Sequence, residues 1–301
     1  MHAITVSEFG PPSVLTPAEL PTPQPGPGQF LVEVTGAGVG PWDAKIRQGQ
    51  FGARTFPYVP GAELSGLIVG VGEGAGPFAS GAAVFGQPGM TGAYAEYAVV
   101  DADAVAAAPT GLDLAAAGGM PVGAVTALEG IDDHLRLGPG ETVLVAGAAG
   151  GVGSFVVQIA RARGARVVAT ASPANHQYLA GLGADRVLDY HGDWVSEAAG
   201  VDAAFDCVGG ATWTGCVEAV RAGGRAVTIA ASPDQARRDD VTVSGSSNTV
   251  TRARLEDAAG LVASGQVRVE VSARLPLDEA ARAHELIETG HTRGKIVLIP
   301  G

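Results

Sequence analysis

The spacing of apolar residues changes part-way along segment 143–164. Val143, Leu144 and Val145 form a continuous apolar run, and 147–153 is almost entirely glycine and alanine. Val152, Phe155, Val156 and Ile159 then recur at helical spacing as far as Gly164. This predicts a buried strand, a tight turn and an amphipathic helix that Gly164 stops. The alternation continues downstream. Strand 166–171 precedes helix 174–182, closed by Gly183, and strand 186–189 precedes a short helix. Strand 203–208 leads to helix 212–221 and then strand 225–230. Strands alternating with helices imply an α/β architecture, a doubly wound parallel sheet covered on both faces.

Residues 1–115 follow another pattern. Short apolar runs at 4–6, 30–34, 67–71, 84–85 and 94–100 are separated by proline and glycine turns, PTPQPGPGQ at 21–29 being the densest. Such spacing predicts a small all-β barrel with one brief helix after Pro41. A helical stretch from about 113 to 131 bridges to the α/β region, and 233–251 is polar and weakly patterned. Helix 252–264 carries Leu255, Ala258, Ala259 and Val262 on one side. The tail (strand 267–271, helix 278–289, strand 295–299) has no glycine turn and is expected to rejoin the first domain. The expected domains are therefore 1–117, 118–266 and the returning segment 267–301.

The glycine turn carries candidate chemistry. Set against G-x-G-x-x-G it reads Ala148-x-Gly150-x-x-Gly153, with Ala149, Gly151 and Val152 between. Gly150 would admit a pyrophosphate to the backbone and Gly153 would let the helix pack on the strand, while the helix N-terminus offers N–H groups to the anion. A membrane span is the rival reading, since 143–160 holds no charge. The central glycines, and Arg161 and Arg163 directly after, argue for strand plus helix.

Charge narrows the partners. A net charge of −12 disfavours nucleic acid and anionic membrane surfaces and says nothing of a small-molecule substrate. Two cysteines, Cys207 and Cys216, build neither a disulfide framework nor a metal quartet. Cys216 shares an apolar helix face with Trp213, Val217 and Val220 and reads as a core thiol. The opening MHAITVSEFG reads as a strand with no basic or apolar leader region, so a cytoplasmic location is expected.

Several segments together resemble one family. VGPWDAKIRQG (39–49), PGAELSGLIVGVG (60–72), GAYAEYAVV (92–100), GAVTAL (123–128), AGAAGGVGS (146–154), ATAS (169–172), LGAD (182–185), DYHGD (189–193), DCVGG (206–210), GGRAVTIA (223–230) and GHTRGKIVLIP (290–300) run in order along nearly the whole chain. They resemble the medium-chain dehydrogenase/reductase superfamily, in its zinc-free quinone oxidoreductase (ζ-crystallin-like) branch. The resemblance implies a GroES-like β-barrel domain plus a Rossmann domain, with substrate between them. It also implies a homodimer through the edge of the Rossmann sheet.

Residue by residue, the resemblance is informative. Zinc-dependent relatives carry Gly-His-Glu; here the segment is Gly61-Ala62-Glu63, and no cysteine precedes residue 207. No metal is expected, and Glu63 reads as structural. An NAD site places an acid at the end of the second strand, but this strand ends Ala169-Thr170-Ala171-Ser172. Ser172 can donate to a 2′-phosphate, or merely cap the next helix. By resemblance His176 replaces a phosphate-binding lysine and Tyr190 matches a tyrosine beside it, so NADPH is the expected cofactor. At the nicotinamide end the resemblance places Val208, Gly209, Ile229 and Ala230, with Thr126 adding a hydroxyl unless it bonds within its own helix.

The expected reaction is hydride transfer to a quinone or α,β-unsaturated carbonyl. For the proton donor the sequence offers Lys45 and Tyr58 as catalytic candidates, with Gln87 and Asn248 behind them. Phe51 stands where the enoyl-thioester reductase branch has a tyrosine, and Gly40 where the family's Asn-Pro-x-Asp has asparagine. Asp43 reads as tying down the short helix. The polar run 243–249 is either a wall for an oxygenated substrate or a solvated loop. These departures sustain an alternative, a recruited scaffold without redox turnover such as a cyclase, isomerase or structural protein.

Overall fold

The computed structural model describes all 301 residues, which divide into two compact units: Met1–Val122 with Val250–Gly301, and Gly123–Thr249. In chain order, the first stretch holds β1 (His2–Val6), β2 (Leu15–Glu19), β3 (Gln29–Val39), α1 (Pro41–Arg47) and β4 (Leu64–Val71). It continues with β5 (Ala83–Gly86), β6 (Tyr97–Asp101), β7 (Val105–Ala107), α2 (Leu114–Ala117) and α3 (Pro121–Leu128). After a π-helical turn (Glu129–Leu135) come β8 (Thr142–Ala146), α4 (Gly153–Ala162), β9 (Arg166–Ala171), α5 (His176–Leu182), β10 (Arg186–Asp189) and α6 (Trp194–Glu197). Then follow β11 (Val201–Asp206), α7 (Ala211–Ala219), β12 (Val220–Thr228) and β13 (Thr242–Gly245). The chain closes with α8 (Arg252–Ala263), β14 (Val271–Pro276), α9 (Ala280–Glu288) and β15 (Lys295–Ile299).

The unit Gly123–Thr249 is built on six strands ordered β10-β9-β8-β11-β12-β13, all parallel. β9 and β10 wind to one side of β8 and β11, β12 and β13 to the other, the doubly wound Rossmann order. At that reversal the ends of β8 and β11 lie side by side, Ala146 opposite Asp206. Val143, Leu144, Val145 and Ala146 are all buried, which explains an unbroken apolar run where a one-sided strand would alternate. One face packs Leu144, Ala146, Val168 and Ala204 against Trp213, Cys216 and Val217, so Cys216 is a core thiol.

In the other unit, β3 is the axis of a seven-stranded, mainly antiparallel sheet. β4 runs along one edge of it. On the other edge β6 takes the first half and β15 pairs Leu298 with Ala37 and Ile296 with Val39. The tail thus rejoins the first domain through the sheet itself. Asp43 caps α1 by accepting the Gly40 amide at 2.9 Å.

Four details differ from the sequence reading. The 113–131 stretch breaks at Gly118 and Gly119 into α2 and α3. β13 forms within the weakly patterned segment, because pairing with β12 supplies what alternation does not announce. The expected strand 267–271 begins only at Val271; Val267 instead turns its amide onto the Leu261 carbonyl and closes α8. Finally, α8 groups with the first unit, although the sequence boundary of 118–266 assigned it to the second. Its buried Leu255, Ala258 and Leu261 pack towards β7, and Arg252 bonds the Ala102 carbonyl and pairs with Asp103. An apolar stripe announces that a helix is buried, not against which unit.

Candidate functional site

At the β8–α4 corner the chain leaves the sheet through Gly147, whose φ of +70° is left-handed backbone suited to glycine. Gly150 N–H bonds back to the Gly147 carbonyl at 3.1 Å, and Ser154 N–H bonds the Gly150 carbonyl at 3.1 Å. The amides of Gly151 and Val152 are left uncommitted at the start of α4. Two glycines here do different work. A Cβ on Gly153 would lie 2.3 Å from the Gly147 carbonyl oxygen, so the close helix–strand approach excludes one. A Cβ on Gly150 would meet nothing nearer than 3.4 Å, so the fold itself leaves that position open. The bare backbone at 150 is therefore available to something from outside, and a pyrophosphate fits it. Ala148 is fully buried beneath the turn, and Ala149 completes it.

β9 ends at Ser172. The capping role open to this serine is not taken: its hydroxyl caps no amide and instead accepts Asn175 Nδ2 at 3.3 Å. His176 opens α5 with Nε2 buried and unpartnered. Tyr190, at the end of β10, is exposed and stacks on His191, ring centroids 4.2 Å apart. His191 also reaches Asp189 at 2.8 Å, and hydrogen bonds from its amide and ring hold that carboxyl below its usual range. The sequence reading gave Asp189 and His191 no role. Their pairing is a local i, i+2 contact that a strand-end pattern could have signalled.

The ends of β11 and β12 are locked together by a group the sequence reading quoted but gave no role. Asp206 is fully buried and accepts the amides of Val208 at 2.9 Å and Gly209 at 3.1 Å and the Thr228 hydroxyl at 2.7 Å. Thr228 Oγ1 in turn accepts the Ala230 amide at 3.1 Å, and Ile229 N–H bonds the Asp206 carbonyl at 3.0 Å. Val208, Gly209, Ile229 and Ala230 thus stand together at the carboxyl edge of the sheet. Thr126 is buried on α3, one turn past Gly123, where a Cβ would lie 2.6 Å from the Gly151 carbonyl oxygen and 2.9 Å from the Phe155 ring.

The polar run 243–249 is anchored to the interior at its C-terminal end. Ser246, Ser247 and Thr249 bind Glu129, buried in the π-helical turn. They satisfy an internal carboxylate, while Ser247 and Thr249 remain exposed. Burial alone would raise the Glu129 pKa; bonds from the amides of Thr249 and Ser247 and the hydroxyl of Ser246 outweigh it and bring it to about 2. Because the folded pKa lies below the unfolded value of 4.5, this contribution is complete above about pH 5 and disappears as pH falls towards 2. We expect it to amount to about 3 kcal/mol. Urea unfolding at pH 7 and pH 3 should show wild type losing more stability than Glu129→Gln over that interval; equal losses would refute the assignment.

In the other unit, Lys45 is half-buried on α1 and Tyr58 has a buried, unpartnered hydroxyl with the Arg54 guanidinium 4.8 Å above its ring. Burial raises the Tyr58 pKa. The two candidates share no hydrogen bond. Exposed Phe51 stacks on exposed Trp42 at 4.0 Å between centroids. Below them lies a polar interior that the sequence reading missed. Glu63, structural as expected, pairs with Lys295 at 2.5 Å and accepts the Val122 amide at 2.8 Å, both side chains being buried. Arg47 pairs with Glu288 and donates to His284 Nδ1 at 3.2 Å, whose Nε2 lies 3.2 Å from the Tyr94 hydroxyl. Burial pushes Asp43 up to about 7 and His284 down to about 3. No three histidine, cysteine or acidic side chains assemble as metal ligands, and no helix is long and apolar enough to cross a membrane.

Residues 26–110 match the family described as alcohol dehydrogenase GroES-like domain, and residues 182–298 that described as zinc-binding dehydrogenase. The chloroplastic NADPH-dependent alkenal/one oxidoreductase of Arabidopsis thaliana is 31% identical over 318 residues, covering 100% of this chain and 80% of that protein. The chain belongs to the medium-chain dehydrogenase/reductase superfamily, in its ζ-crystallin-like quinone oxidoreductase branch. Within this branch the rat quinone oxidoreductase is 30% identical over 321 residues, covering 99% of this chain and 98% of the relative. The Escherichia coli quinone oxidoreductase, solved with NADPH, superposes with a TM-score of 0.89 at 26% identity over the whole of both chains. Membership makes this protein an oxidoreductase that takes a nicotinamide cofactor.

Proposed function

We propose that the protein is a zinc-independent, NADPH-dependent reductase of quinones or α,β-unsaturated carbonyl compounds. One observation carries the reading: at Gly150 the fold leaves room that only an outside group uses, with uncommitted amides at the start of a helix. The strand-end serine and the orphaned His176 Nε2 favour a 2′-phosphate over a bare ribose. The relatives named for quinone and alkenal reduction support the substrate class. When bound, the reduced nicotinamide supplies hydride to an electrophilic carbon. The chain's own part is to hold the diphosphate on the amides near Gly151, to present the strand ends at 208–209 and 229–230, and to protonate the carbonyl oxygen. Lys45 and Tyr58 are the candidates for that last role. The dimer we propose uses the outer edge of β13, which has β12 as its one neighbour in the sheet.

The test is loss of NADPH absorbance with a panel of quinones and enones, beside calorimetry with NADPH and NADH. Tight NADPH binding without turnover on any of them would favour a scaffold without redox chemistry. A further outcome is expected from His176. His176→Ala should lower the ratio of NADPH to NADH affinity roughly fivefold, because it removes a hydrogen-bond donor to the 2′-phosphate. His176→Lys should keep the NADPH preference; an unchanged ratio in His176→Ala removes His176 from the site.

A further inference from the structure

We propose that Glu129 is a positioning residue for the nicotinamide end of the cofactor and acts through segment 246–249. The inference rests on the nucleotide reading above and extends it to a residue without cofactor contact. Glu129 lies three positions beyond Thr126, with its side chain buried. Its Oε1 accepts the Ser247 amide at 2.7 Å and the hydroxyls of Ser246 and Ser247 at 3.1 Å each, and Oε2 accepts the Thr249 amide at 2.5 Å. His134 Nε2 stands 3.6 Å from Oε1.

This grip is continuous with the lock on the neighbouring strands. Ser246 N–H bonds the Thr228 carbonyl at 3.1 Å, and the Thr228 hydroxyl bonds Asp206 at 2.7 Å. One chain of bonds from Asp206 through Thr228 and Ser246 to Glu129 therefore crosses the carboxyl ends of β11, β12 and β13. Ligands of open α/β sheets bind at that edge. Between the two gripped amides sits Asn248 with φ of +56°, left-handed backbone that asparagine adopts more readily than other non-glycine residues. Gripping 247 and 249 from one carboxylate fixes the residue between them. Glu129 thereby sets where the backbone of 246–249 and the Asn248 carboxamide meet the nicotinamide.

The experiment compares two ligands by calorimetry: NADPH, and 2′,5′-ADP, which carries the adenosine and 2′-phosphate alone. Glu129→Gln replaces one accepting oxygen with an NH2 that cannot accept from an amide. It should weaken NADPH about tenfold and change 2′,5′-ADP less than twofold. Asn248→Gly, which relieves the left-handed backbone and deletes the carboxamide, should weaken NADPH selectively with no loss of thermal stability. It serves as the test if Glu129→Gln does not fold. Equal weakening of both ligands, or of neither, would overturn the inference. Wild-type protein that bound 2′,5′-ADP and NADPH equally well would also overturn it, because the nicotinamide end would then contribute nothing. Wild type that bound neither ligand would defeat the nucleotide reading and this inference with it.

Discussion

Gly150→Val should raise the Kd for NADPH about 100-fold while leaving the thermal midpoint unchanged. Hydrogen bonds to a charged group are worth roughly 1.5–3 kcal/mol each, and the helix dipole adds roughly 0.3–2 kcal/mol. Holding the diphosphate off two amides therefore forfeits about 3 kcal/mol, which is the stated change in affinity. The fold should not register the substitution, because a Cβ at 150 finds its nearest neighbour at 3.4 Å and the residue does not have a left-handed φ. Gly153→Ala is the internal control with the opposite profile. Its Cβ would sit 2.3 Å from the Gly147 oxygen and 2.7 Å from the Ala148 Cα, displacing α4 from the end of β8. Overpacking of that kind destabilises by roughly 1–3 kcal/mol. Calorimetry and thermal melts on both variants separate the two roles. Unchanged NADPH affinity in Gly150→Val would mean that no diphosphate rests at this corner.

Lys295→Met should be the most destabilising single change in the unit that contains β3 and β15, by about 3–5 kcal/mol. It leaves the Glu63 carboxylate, 2% exposed, without its cation. The remaining partner, the Val122 amide at 2.8 Å, satisfies one oxygen but does not neutralise the charge. Adding Glu63→Gln removes that charge and keeps an oxygen for Val122, so the double variant should return to within about 1 kcal/mol of wild type. Urea unfolding of the four proteins in the cycle gives the coupling directly. If the double variant were as unstable as Lys295→Met alone, a packing defect rather than a buried unpaired charge would be the cause.

Both predictions concern residues that the amino-acid sequence presented unequally. The glycine corner could be read in advance because its signal is local: an apolar run, a string of small residues and a helical period follow one another within two dozen positions. Glu63 could be read as structural but its partner could not, since Lys295 arrives from the last strand of the chain. Glu129 gave no signal at all. It lies in a helical stretch beside Leu128, and the serines and threonine that bind it come 117 to 120 residues later. Lacking that partner, the polar run 243–249 looked like a substrate wall or a loop.

By itself, then, the sequence determined the succession of strands and helices in the doubly wound sheet, the turn at 147–153, the helix stop at Gly183 and the core position of Cys216. Each depends on backbone conformation or apolar period within a few residues. Only the tertiary structure decided which unit holds α8, that β13 exists as an edge strand, and which distant partner satisfies each buried charge. An apolar stripe or a buried carboxylate states a requirement without naming what meets it. The answer comes from packing between segments far apart in the chain.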